Sequence, residues 1–144
     1  MVYTLDQTVP SYLCDRQDRL HPWAAVRLCQ EVTEYHGNSV GGGFAKLVEQ
    51  NRAWVIVRSY YEFHRRPAAF DKVMLNTWPR KNTGLFAVRD YELCDDQGAL
   101  MVSGTAYWAV INFQTRRVER FRDDMMGRYT LESRQATDMD SLDK

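Results

Sequence analysis

The sequence predicts an α+β domain in which one long helix packs on a sheet of long antiparallel strands. Three observations carry this. In "HPWAAVRLCQEVTEYHG" the apolar side chains of Trp23, Ala25, Val26, Leu28, Cys29, Val32 and Tyr35 recur at three- and four-residue steps, the period of a helix with one buried stripe. From Arg52 onward the period changes to two, in stretches rich in β-branched and aromatic residues. The breaks between those stretches are too short for parallel crossovers, so the strands must run antiparallel.

Taken in order, "VYTLDQTV" alternates as a short first strand and Pro10 closes it. Pro22 suits a first helical position, and Gly37 suits the residue after the helix end. Residues 41–43, "GGG", form a flexible joint ahead of a second, shorter helix in "FAKLVEQ". Four strands follow, in "AWVIVRSYYEFHRR", "KVMLNTWPR", "LFAVRDYELC" and "ALMVSGTAYWAVINF". They are separated by "RPAAFD", "KNTG" and "DDQG". "QTRRVERF" starts a short edge segment. The domain is expected to span residues 1–123, and the polar residues 124–144 to form a tail or linker.

Composition narrows the function classes. At 144 residues, 44% hydrophobic and 26% charged, the chain has the make-up of one globular unit. No apolar run approaches the roughly 20 residues of a membrane span, and "MVYTLDQTVP" lacks the pattern of a secretory signal, so a cytoplasmic location is expected. Cys14, Cys29 and Cys94 are far apart and have no paired histidines, which argues against a disulfide framework or a metal site. They read as reduced core thiols, and no cofactor motif is present. Net charge is zero, and the aromatic residues lie on strands rather than in a basic tract, a poor match to nucleic-acid binding. Yet 15 of the 19 basic residues are arginine, whose planar fork suits carboxylates and phosphates.

The local sequence then becomes specific. "RAWVIVRSYYEFHRRP", "VMLNTWPRKNTGLFAVRDYEL" and "WAVINFQTRR" resemble, in this order, the first half of acyl-acyl carrier protein (acyl-ACP) thioesterases. The resemblance covers roughly Tyr3 to Arg122. It implies the hotdog fold, an antiparallel sheet wrapped around a central helix, and hydrolysis of fatty acyl-ACP thioesters. Members of that family resemble two hotdog domains in tandem. The residues credited with hydrolysis, an Asp-x-Asn-x-His run, lie in the second, and "ATDMDSLDK" does not supply them. The chain therefore reads either as the substrate-shaping half or as a single-domain form that works as a homodimer. A non-catalytic acyl-binding or dimerisation module is the alternative. A hotdog dehydratase is a further one, for which His36 and Asp15 are the available pair.

Hydrolysis of a thioester needs a base or nucleophile and donors for the developing oxyanion. Asp15-x-Gln17-x-Arg19 occupies the place of the family's Asp-x-Asn-x-His run, but a guanidinium cannot serve as a base. Asp15 is then either a brace at the helix entrance or, if this single domain is active, a catalytic candidate together with Glu31. For Glu31 and Glu34 the competing reading is a solvated helix surface. His36 fits an imidazolium at the helix C-terminus. His21 reads as a helix-entrance residue and His64 as a surface residue. Trp108 reads as core, whereas Trp54 and Trp78 are either core or the wall of an acyl cavity. Strand alternation gathers Arg52, Arg80, Lys81, Arg116 and Arg117 at one end of the sheet. There they form either a solvated rim or a docking surface for an acidic carrier protein. The expected partners are acyl-ACP or acyl-CoA, with no nucleic acid and no membrane.

Overall fold

The computed structural model describes residues 1–120 and 129–140. Its elements are β1 (Tyr3–Thr8), α1 (Pro22–Ser39), α2 (Phe44–Glu49), β2 (Arg52–Phe63), β3 (Lys72–Asn82), β4 (Ala87–Asp95), β5 (Leu100–Asn112) and β6 (Val118–Glu119). The sheet order is β1-β3-β4-β5-β2, with β6 pairing the end of β5, and every described pairing is antiparallel. This is a hotdog fold, an α-helix wrapped by an antiparallel sheet.

α1 starts at Pro22, where the missing N–H costs no helical hydrogen bond. Its end lies beyond the expected Gly37. Gly41 takes the left-handed φ of 77°, Gly41 N–H donates to the carbonyl of Asn38 and Gly42 N–H to that of Gly37. Those two bonds close a Schellman motif, so the first glycine of the triplet stops the helix. The buried stripe is narrower than the apolar count suggested. Ala24, Ala25, Leu28, Cys29, Val32 and His36 are buried, while Trp23 and Tyr35 are about half exposed. Tyr35 is one residue, or about 100°, out of phase with His36. Trp23 instead stacks on His21 and lies under the Arg27 guanidinium.

The inner face of the sheet, with Val73 and Leu75 on β3, Tyr91 and Leu93 on β4 and Val102 and Ala106 on β5, packs with this stripe into one core. At the centre of β5, Gly104 lies opposite both Tyr61 and Tyr91. Those rings stack across it at 6.4 Å, in space that a side chain at Gly104 would occupy.

The outer face is covered as well, by part of the segment expected as a polar tail or linker. Residues 129–140 lie across it as a strap. Trp78 Nε1 donates to the Arg134 carbonyl at 2.7 Å, Glu132 N–H to the Pro79 carbonyl, and Ala136 N–H to Asp90 Oδ2. Arg134 lies 4.1 Å over the Trp78 ring, and Met139 packs with Val88 and Tyr107. Polar composition hid this because the strap is held mainly by backbone groups, which carry no sequence signature.

Candidate functional site

The opening loop is a brace. Asp15 N–H donates to the Arg19 carbonyl, and the Asp15 carboxylate accepts from the N–H groups of Gln17 and Arg19 and from Arg66 Nη1 at 3.0 Å. The Arg19 and Gln17 N–H groups and the Arg66 guanidinium hold its carboxyl below the usual range. A carboxylate with three donors at this end of α1 is poorly placed to take a proton from water. Glu31 is exposed on α1.

His36 sits in a different setting from the one expected. It is fully buried rather than capping the helix in solvent, stacked on Tyr3 at 5.0 Å and edge-on to Tyr129 at 4.8 Å. Its Nδ1 faces Arg89 Nη1 at 3.1 Å. An arginine can only donate, so Nδ1 accepts and Nε2 carries the proton. Burial first, then the charges of Arg89 and the N-terminus, push the imidazole down to about 4, so it is neutral near pH 7. Fourteen residues of helix, about 20 Å, separate it from the start of α1, so His36 and Asp15 do not form a catalytic pair within this chain.

Beside this cluster lies a small pocket of ≈ 40 Å³ at the C-terminal end of α1. The described residues lining it include Trp54, Trp108, Phe44, Pro79, Arg89 and Tyr129, with Glu34 at the wall. Trp54 and Trp108 meet edge to face at 6.4 Å, and Trp108 Nε1 donates to the Tyr91 hydroxyl. Gly42 and Gly43 let backbone form one wall. The lining is mostly apolar with a few polar groups, the usual make-up of a small-molecule site.

The pocket re-sorts the tryptophans. Trp54 lines it. Trp108, read as core, lines it too, while Trp78 faces the strap on the opposite side of the sheet and has no part in it. The positive cluster is also redrawn. Arg80 sits beside the irregularity in β3 between Pro79 and Lys81 and is buried. It pairs with Asp90 at 3.4 Å and donates to the Met139 carbonyl at 2.7 Å, so it is not a docking residue. Lys81 pairs with Asp140 and Arg52 with Glu119. Arg116 and Arg117 are exposed in the turn after β5. Arg89, the residue that sequence reasoning passed over, had one signal: it stands on the same face of β4 as Tyr91 and Leu93, a cation on the inward phase of a strand.

No group of metal-ligating side chains occurs among the described residues, and none of the described helices is long and apolar enough to cross a membrane.

Residues 1–129 match the family model for the acyl-ACP thioesterase N-terminal domain. The chain is similar to the chloroplastic oleoyl-acyl carrier protein thioesterase 1 of Arabidopsis thaliana, 32% identical over 72% of this chain and 31% of that protein. Its fold resembles an acyl-ACP thioesterase from Bacteroides thetaiotaomicron, with a TM-score of 0.86 and 23% identity over 97% of this chain and 57% of that one. It also resembles the 12:0-ACP thioesterase from Umbellularia californica, with a TM-score of 0.75 and 23% identity over 85% of this chain and 50% of that one. The chain thus spans about a third of the Arabidopsis relative and about half of each structural one. The match over residues 1–129, on a sheet that wraps its helix and leaves an apolar pocket at the helix end, makes this chain a member of the acyl-ACP thioesterase family, corresponding to its N-terminal hotdog domain.

Proposed function

We propose that this chain shapes the acyl site of an enzyme that hydrolyses fatty acyl-ACP to free fatty acid and carrier protein, and that a second hotdog unit supplies the hydrolytic residues. The observation that carries the proposal is the pocket between Trp54 and Trp108, on a family member whose loop carboxylate, Asp15, is bound up in its own loop and whose pocket wall carries Glu34 as its one carboxylate among the described residues. Asp15 is tied to the loop and Glu31 is exposed. At ≈ 40 Å³ the pocket takes the end of an acyl group rather than its whole length.

The second unit, another copy or a tandem domain, has a ready seat. Among the described residues β2 is an edge strand of 12 residues, bonded to β5 on one side only, and Val57, Tyr60 and Phe63 are exposed along it. A long edge with open backbone groups is a template for pairing. The exposed Arg116 and Arg117 are the residues left to meet an acidic carrier protein. Acyl-CoA lacks that protein surface and uses the pocket alone.

The test is free-thiol release from acyl-ACP and acyl-CoA by the purified protein, with its mass in solution measured alongside. Turnover of acyl-ACP supports the reading. A folded protein that binds acyl groups with no turnover rejects the form in which another copy of this chain is the second unit.

A further inference from the structure

The pocket holds a feature that a plain hydrocarbon chain does not use. Arg89 is 6% exposed, and among the described residues no carboxylate pairs with it. Its charge is met by Nη1 donating to His36 Nδ1 and to Thr77 Oγ1, each at 3.1 Å, and by the Tyr129 ring at 5.0 Å. The other edge of the guanidinium, Nε and Nη2, makes no hydrogen bond with the described residues. Neither atom is among the fully enclosed orphan groups, and Arg89 lines the pocket, which leaves this edge as the part of the guanidinium available to a ligand there. Nε–H and Nη2–H are parallel donors, the fork that receives both oxygens of a carboxylate. A buried cation with no carboxylate in ion-pair contact is costly; Glu34 lines the same pocket but makes no ion pair with Arg89, and a methyl terminus placed against the guanidinium recovers none of the cost. Outside the fork, Trp54, Trp108 and Phe44 offer apolar surface for methylenes.

We propose that this pocket binds an aliphatic carboxylate, with its oxygens on Nε and Nη2 of Arg89 and its first methylenes between Trp54 and Trp108. The proposal deepens the acyl-pocket reading and rests on it. The carboxylate has two sources: the fatty acid released by the proposed reaction, or the far end of a dicarboxylic half-thioester. Arg89 thereby serves as a ligand-binding residue, held in place by His36 and Thr77.

The experiment titrates the purified protein with octanoate and with octan-1-ol, following Trp54 and Trp108 fluorescence and heat of binding. Octanoate is expected to bind at least about tenfold more tightly, the difference a charged hydrogen-bond pair supplies. Arg89→Met should erase that preference while keeping octanol binding, and Arg89→Lys, a charge without the fork, should restore part of it. Equal binding of octanoate and octanol by the unmodified protein overturns the proposal whether or not the variants fold. So does an octanoate preference that survives in folded Arg89→Met. Two further arms identify the source. Faster hydrolysis of an ω-carboxyl octanoyl thioester than of the octanoyl thioester, lost in Arg89→Met, assigns the site to the substrate's far end. Competitive inhibition by octanoate without that preference assigns it to the product acid. Hydrolysis of plain acyl-ACP with no octanoate preference rejects this proposal and leaves the thioesterase reading intact. Octanoate preference without any hydrolysis supports this proposal and rejects the form in which a second copy of this chain completes the enzyme.

Discussion

Arg89 Nη1 donates a hydrogen bond to His36 Nδ1 over 3.1 Å, joining the start of β4 to the last turn of α1 beside the pocket. The bond fixes the tautomer of a fully buried imidazole and keeps a cation next to it. His36 is therefore held neutral in the folded state.

That coupling makes stability depend on pH in a defined window. The folded His36 titrates at about 4 and the unfolded one at 6.5, so between them the unfolded chain binds a proton that the folded chain does not. Stability from this residue is present above pH 6.5 and is lost as pH falls toward 4, by roughly 2–4 kcal/mol in all. Urea unfolding at pH 7 and at pH 4.5 measures it. His36→Gln, which keeps a hydrogen-bond acceptor but cannot be protonated, should show a much smaller fall than the unmodified protein; an equal fall would place the acid sensitivity in other groups.

The strap is held by Asp90, whose carboxylate accepts from the Thr105 hydroxyl and Ala136 N–H and pairs with the buried Arg80. Burial pushes its carboxyl up, opposed by the Ala136 N–H and the charge of Arg80. Asp90→Ala leaves the enclosed Arg80 with Asp140 as its remaining counter-charge and removes the acceptor of the Ala136 N–H, at a cost of about 1–3 kcal/mol. Proteolysis within residues 129–140 should accelerate in parallel, because those residues lose their central anchor. A stable variant with an unchanged cleavage pattern would show the strap to be held by other groups.

Gly104 is predicted to resist enlargement. A Cβ there would stand 2.5 Å from the Tyr61 ring, inside van der Waals contact, so Tyr61, which packs against the core, must shift to admit it. Gly104→Ala should cost about 1–3 kcal/mol as an overpacking change, read from the denaturant midpoint. Loss of the Tyr61–Tyr91 contact should also appear in the near-ultraviolet circular dichroism.

Asp15 is predicted to matter for the loop and not for turnover. Asp15→Ala should lower the melting temperature while leaving turnover per folded molecule unchanged. Its depressed carboxyl adds stability above the unfolded-state range of a carboxyl, and that contribution disappears as pH falls through the folded value. A collapse of turnover at full stability would return Asp15 to the chemistry.

Much of this was legible in the chain because period carries long range. The change from 3.6 to 2 at Arg52 located β2, and the short breaks forced the antiparallel meander of β3, β4 and β5. The "TWP" and "RDYEL" stretches carried the family. The site was less legible, for physical reasons. Alternation cannot see which face of the sheet a strap will cover, so Trp78 and Trp54 looked equivalent when one faces residues 129–140 and the other the pocket. Nor does alternation survive an irregularity, which is how a buried Arg80 passed for a rim cation next to Lys81. His36 looked like a helix cap because sequence shows an element's end but not what packs against it. Arg89 drew no notice because a buried cation only acquires meaning from the groups that fail to neutralise it.

If this chain selects the acyl group and a second unit cleaves it, the pocket between Trp54 and Trp108 sets the preferred acyl length. The most direct test is the acyl-chain-length profile of thiol release from a series of acyl-ACP substrates, measured for the unmodified protein and for Trp54→Ala and Trp108→Phe. The account predicts that the preferred chain length shifts, with turnover on the newly preferred substrate close to the original. An unchanged profile, with turnover lowered evenly across all substrates or not lowered at all, would contradict it.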